Sequence, residues 1–154
     1  MELYLIRHGL AEPGDPYDQN RALTERGVLQ AEGAARWVKQ QIKGQAQVWA
    51  SPYKRTQQTA TPVAEALGVS IQSHSCLEPD QTPQKVIDDL VEQTGPIVLV
   101  THLPLVGRLA SVLIDGQVFD QPWSPAEVWQ LKGDVFAAGC MESAAVWYPV
   151  LEGI

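Results

Sequence analysis

Apolar residues follow two patterns along this chain. Short unbroken runs at 3–6, 48–50 and 97–100 alternate with longer stretches in which apolar residues recur every three or four positions. Runs of that length bounded by polar residues predict buried strands, because a strand covered on both faces has no polar side to show. The steps of Val28, Ala31, Ala35, Val38 and Ile42 predict a helix. Thr24 caps it, Glu25 sits at its positive end, and Gly44 can close it. A second helix follows the strand at 48–50 and runs to Leu67, with Gly68 as its stop and a bend expected at Pro62. Residues 69–72 alternate and predict a third strand. Thr82 and Pro83, a cap followed by a first-turn proline, open a third helix that turns Val86, Ile87, Leu90 and Val91 inward and ends at Gly95-Pro96. Ile97–Thr101 is apolar almost throughout and predicts a central strand. Pro104 then starts a fourth helix, to about Ile114. Residues 128–131 and 144–148 predict two last strands, a hairpin that extends one sheet edge. Alternating strand and helix predict an α/β fold, a three-layer αβα sandwich on a mostly parallel sheet. Residues 1–154 read as a single domain.

The polar residues that stop these runs carry the chemistry. The first strand ends on Arg7-His8-Gly9 and the central one delivers His102, so two imidazoles stand at carboxyl ends of buried strands, where open α/β sheets place their ligand crevice. Arginine suits a phosphate or carboxylate there because its planar fork donates in pairs. Histidine can act as a base or accept a phosphoryl group. Arg55 falls within the first turns of the second helix, just after a strand and tight turn, which is a natural anion site. Arg21 lies in a loop of Pro, Gly, Asp and Asn that passes over the same edge. Taken singly, Arg21 and Arg55 read as solvated cations; together with both histidines they read as the wall of an anion site. His74, between Ser73 and Ser75, reads as exposed and idle.

Composition narrows the classes. With 18 acidic against 11 basic residues the formal charge is −7, which argues against nucleic acid as a partner. Cys76 and Cys140 supply no disulfide framework and read as buried free thiols of a reducing, cytoplasmic compartment. No apolar run approaches membrane-spanning length, so no membrane is expected. Phosphate-cradling glycine loops and dinucleotide fingerprints are absent. Neighbouring His, Cys and Asp at metal-ligand spacing are missing as well, so neither a metal nor a cofactor is expected.

Four stretches carry a resemblance: 5–9 (Leu-Ile-Arg-His-Gly), 21–27 (Arg-Ala-Leu-Thr-Glu-Arg-Gly), 51–60 (Ser-Pro-Tyr-Lys-Arg-Thr-Gln-Gln-Thr-Ala) and 101–107 (Thr-His-Leu-Pro-Leu-Val-Gly). In that order they resemble the histidine phosphatase (phosphoglycerate mutase-like) superfamily. The small size and the His-Leu-Pro-Leu-Val-Gly run look most like its phosphohistidine phosphatase branch, the SixA type. The resemblance covers residues 1 to about 115. It implies His8 as the nucleophile that becomes phosphohistidine, Arg7 and Arg55 as a clamp on the phosphate, Arg21 as a third donor, and His102 on the equatorial oxygens. The backbone amide of Leu103 can add a further bond. At the general acid the pattern thins. Many members carry a carboxylate near Glu78 inside a longer insertion that this chain lacks, which leaves Glu78, with Asp80 beside it, as the candidate. A phosphorylated imidazole can depart neutral because its second nitrogen protonates, so the expected substrate is phosphohistidine on a partner protein. A small phosphomonoester is the alternative, and a non-catalytic phosphate-binding module is a more distant one.

Overall fold

The computed structural model describes residues 1–154. In chain order its main elements are β1 (Glu2–Arg7), α1 (Glu25–Gln41), β2 (Gln47–Ala50), α2 (Lys54–Leu67), β3 (Ile71–Ser73), α3 (Pro83–Leu90), β4 (Ile97–Thr101), α4 (Leu105–Asp115), β5 (Val128–Gly133) and β6 (Met141–Trp147). The strands form one sheet in the order β3-β2-β4-β1-β5-β6. β3, β2, β4 and β1 run parallel, and β5 and β6 add an antiparallel hairpin to one edge. The expected three-layer arrangement follows from side-chain alternation along β1 and β4. Leu3, Leu5, Ile97 and Leu99 point to the face covered by α3 and α4. Tyr4, Ile6, Val98 and Val100 point to the opposite face, under α1 and α2. All eight are fully buried, as two-sided burial of a parallel sheet requires.

Element ends follow local chemistry. The Thr24 hydroxyl accepts from the Gly27 N–H and caps α1, whereas Thr82 makes no side-chain cap, leaving Pro83 alone to start α3. α2 passes through Pro62 and stops at Gly68, which adopts the left-handed conformation. Val28 and Val91, expected on inward faces, are exposed at 43% and 51%. At the start of α1 the inward position belongs to Gly27 instead, about 100° around the helix from Val28. β3 and β6 also differ from the expected bounds, each by a few residues on an outer strand. No helix is long and apolar enough to cross a membrane.

One close approach positions the crevice. A Cβ on Gly27 would lie 2.1 Å from the Leu10 carbonyl oxygen, and a Cβ on Gly9 would lie 2.7 Å from that of Gly27. Two glycines therefore let the start of α1 rest directly on the turn that leaves β1. Gly27→Ala is expected to destabilise the fold by about 1–3 kcal/mol, the usual cost of forced overpacking, because the clash is with backbone. This outweighs the helix-propensity gain of about 1 kcal/mol. Urea unfolding checks it: an unchanged or raised midpoint contradicts the packing role.

Candidate active site

β1 and β4 are neighbours in parallel register, with Arg7 opposite Thr101. The next residue on each strand is a histidine, so the register itself sets His8 beside His102. The His8 N–H donates to the Thr101 carbonyl (3.0 Å), and the two rings stand edge to face with centroids 5.4 Å apart. Both are buried, at 8% and 1% exposure. Arg55, in the first turn of α2, is also buried. Its backbone is tied to the β1 turn through Thr59, whose hydroxyl donates to the Arg55 carbonyl (2.8 Å) and accepts from the Gly9 N–H (3.0 Å).

One hydrogen bond assigns the His8 tautomer. His8 Nδ1 lies 2.7 Å from the Gly9 carbonyl oxygen, an acceptor only, so Nδ1 carries the proton and Nε2 keeps its lone pair. His102 Nε2 lies 2.8 Å from Ser51 Oγ. That oxygen also accepts from the Tyr53 N–H; with the Ser51 hydroxyl proton directed at Nε2, the His102 proton lies on Nδ1. Burial pushes the His8 imidazole down to about 4, and the charges of Arg7, Arg55 and Arg21 act in the same direction against the Gly9 hydrogen bond. His102 is likewise held well below the ordinary imidazole value, chiefly by burial, then by His8 and Arg55. Both rings are therefore neutral at pH 7.

Three buried donors around these rings lack a protein partner: Arg7 Nε, Arg55 Nε and His102 Nδ1. Buried polar groups are paired in the great majority of cases, so three orphans on neighbouring residues mark a place built for an acceptor. The guanidinium heads are otherwise engaged. Arg7 Nη1 donates to the Trp123 carbonyl (2.6 Å). Arg55 donates through Nη1 to the backbone oxygen of Asp18 (2.8 Å) and through Nη2 to its carboxylate (3.1 Å). The N–H of Leu103 also has no protein acceptor. It lies at the start of α4, whose cap residue is Pro104 and where the Val106 N–H donates to the His102 carbonyl (2.8 Å).

Arg21 belongs to the rim. Its Nε donates to the Glu12 carbonyl (2.8 Å) and its Nη1 to Asp18 Oδ1 (2.9 Å). Asp18 thus bridges Arg21 and Arg55, a role not expected from the sequence. Only its i,i+3 spacing to Arg21 hinted at it, since Arg55 lies 37 residues away. Glu127 was missed as well. Almost fully buried, its carboxylate accepts from the Ser124 N–H and the Trp129 indole N–H, and its charge partly offsets the burial that lowers Arg7. Glu78 makes no side-chain hydrogen bond to His8, His102 or the arginines. With Asp18 and Asp80 it adds to the burial that raises the Tyr53 phenol, and Tyr53 packs edge-on against His102 at 5.0 Å.

Two cysteine and histidine expectations need correction. Cys140 is exposed; only Cys76 is buried. His74 is half-buried and stacked on Trp49 (4.0 Å, 16°). Folding also gathers His74, Cys76 and Asp89 within 4.8 Å of one another, a cluster hidden by sequence spacing. None of the four surface cavities is lined by His8, His102, Arg7 or Arg55. The largest cavity, about 730 Å³, lies elsewhere, between Asp80–Gln84 and Val118–Asp120.

Comparisons with known proteins agree with this geometry. The family model of the histidine phosphatase superfamily (branch 1) matches residues 3–78. A phosphohistidine phosphatase SixA homolog of Haemophilus influenzae is 31% identical over 147 residues, covering 87% of this chain and 89% of its own. Phosphohistidine phosphatase SixA of Escherichia coli is 30% identical over 125 residues, covering 76% of each. The solved structure of the protein histidine phosphatase SixA complexed with tungstate superposes with a TM-score of 0.86 at 25% identity, covering 99% of both chains. A mycobacterial glucosyl-3-phosphoglycerate phosphatase, at 17% identity and a TM-score of 0.69, shares the fold alone.

Proposed function

The chain belongs to the histidine phosphatase superfamily and is a phosphatase; from that premise we propose that it removes the phosphoryl group from phosphohistidine on a partner protein, with His8 as its nucleophile. The observation that carries this reading is a neutral, tautomer-locked His8 whose free Nε2 stands among buried cations and partnerless donors. The Nε2 lone pair forms the new bond to phosphorus. The bond from phosphorus to the substrate imidazole breaks, that ring keeps the electron pair, and a proton on its other nitrogen lets it leave neutral. Water then attacks phospho-His8, losing a proton to solvent, and returns the histidine with release of inorganic phosphate. Arg7 and Arg55 hold the phosphoryl oxygens through donors that include their free Nε–H groups, and His102 Nδ1–H and the Leu103 N–H donate to the same anion. Fixed donors of this kind stabilise developing charge without reorganising. Arg21 supplies a further cation at the rim.

Glu78 and Asp80 make no side-chain hydrogen bond to His8 or His102, and a phosphorylated imidazole does not require a protonating carboxylate. An alkoxide leaving group does. We place the enzyme in the cytoplasm as a single domain, in keeping with its two free thiols. Steady-state kinetics on a phosphohistidine-bearing protein and on sugar phosphates test the substrate class. At least a tenfold higher kcat/KM is expected for the protein; a preference for the sugar phosphates replaces it with a small-molecule phosphomonoesterase.

A further inference from the structure

A second constellation lies behind the mouth and takes no part in the chemistry above. His74 precedes the 3₁₀ turn Ser75–Leu77, Cys76 lies within it, and Asp89 approaches both from α3. Their candidate ligand atoms, one nitrogen, one sulfur and one oxygen, all lie within 4.8 Å of one another, with His74 Nδ1 4.0 Å from Asp89 Oδ2. We propose that His74 Nδ1, Cys76 Sγ and a carboxylate oxygen of Asp89 form a binding site for a zinc-class divalent transition metal ion.

Geometry and donor chemistry support this together. Zinc bonds of about 2.0 Å to nitrogen and oxygen and 2.3 Å to sulfur, arranged tetrahedrally, put neighbouring ligands roughly 3.5 Å apart. The three atoms need to close by about 1 Å, which a side-chain rotation of half-exposed Asp89 can supply. The other two ligands are already held. The His74 N–H donates to the Ala50 carbonyl (2.9 Å), and the Leu77 and Glu78 N–H groups close the turn onto His74 and Ser75. The imidazole lies flat on the buried Trp49 indole, which fixes the plane in which Nδ1 can approach a metal. A thiolate, an imidazole and one carboxylate select zinc, cobalt or copper over magnesium or calcium, which take oxygen ligands. Coordination breaks the Cys76 S–H bond: the proton goes to solvent and the sulfur lone pair forms the metal bond. The exposed side of Asp89 leaves a fourth position for water.

Occupancy would fasten the β3–α3 connection, including the loop that carries Glu78 and Asp80. It would do so next to a hydrogen bond from the Thr101 hydroxyl to the Leu77 carbonyl (2.6 Å), one residue before His102. The site therefore braces the mouth without touching the phosphate-binding groups.

Cobalt(II) titration of the reduced full-length protein tests it. A near-ultraviolet thiolate-to-cobalt charge-transfer band should saturate at one ion per chain. It should persist in Cys140→Ser and in His8→Asn, and vanish in Cys76→Ser. Asp89→Asn, a change at an exposed position that spares the fold, should weaken binding at least tenfold, and added zinc should raise the Tm of the parent but not of this variant. No band in the parent, a band that survives Cys76→Ser or disappears in His8→Asn, or unchanged affinity in Asp89→Asn each overturns the proposal.

Discussion

Replacing His8 with asparagine should lower phosphatase turnover on the order of 10⁴-fold or more, the scale seen when a covalent nucleophile is removed. Asparagine is the informative choice. Its side-chain N–H₂ can still donate to the Gly9 carbonyl in place of Nδ1, while no atom replaces Nε2. Rapid quench with a phosphorylated substrate should trap a phosphoryl group on His8 of the parent chain and none on the variant; turnover at the parent rate in the variant would remove His8 from the mechanism. The same variant has a stability signature. Because the folded His8 value is near 4 and a free imidazole titrates near 6.5, the unfolded chain binds more protons between those two values. Stability contributed by neutral burial is complete above about pH 6.5 and falls as the pH drops towards 4, by about 3 kcal/mol for this one group. His102 acts in the same sense and feels the His8 charge, so subtracting the unfolding profile of His8→Asn from that of the parent gives the His8 share together with its coupling to His102. A flat difference profile over that window contradicts the buried neutral imidazole.

How far this site could be read before folding depended on where each residue sits in the sheet. β1 and β4 are central, so their runs are wholly apolar and the histidines at their ends stood out. The outer strands did not announce themselves equally well. β6 carries exposed Glu142, Ser143 and Ala144 on the open edge, and an edge strand without a continuous apolar run leaves its start unmarked. Asp18 was invisible for a different reason: its partner Arg55 comes from an element that only the β1-α1-β2-α2 order brings alongside. His74 misled through its neighbours. Ser73 and Ser75 suggested solvent, yet pairing of β3 with β2 carries the chain past Trp49 and lays the imidazole on its indole. Periodicity reports burial against the sheet; it does not report stacking at a strand end or convergence from distant turns.

Arg55→Ala should reduce kcat/KM by about 10²–10³-fold, some 3 kcal/mol of transition-state stabilisation, as for loss of one preorganised oxyanion donor. The guanidinium divides its work between two edges. Nη1 and Nη2 are both held by Asp18, through its backbone oxygen and its carboxylate, which orients the plane. The adjacent edge presents Nε–H, buried and without a protein partner, to the phosphoryl group. Lysine cannot reproduce this division, because an ammonium is a point charge without a planar fork; Arg55→Lys should therefore recover less than a tenth of the lost activity. Global stability should change little. The hydrogen bonds that tie this turn to Gly9 run through the Arg55 backbone and Thr59, and Asp18 is exposed enough to be solvated when its partner is gone. Activity of Arg55→Ala within threefold of the parent, with an unchanged unfolding midpoint, would show that the phosphate is held without this residue. Asp18→Asn separates the two edges: the backbone acceptor stays, the ion pair is lost, and activity should fall by less than in Arg55→Ala because the Nε–H that faces the anion remains.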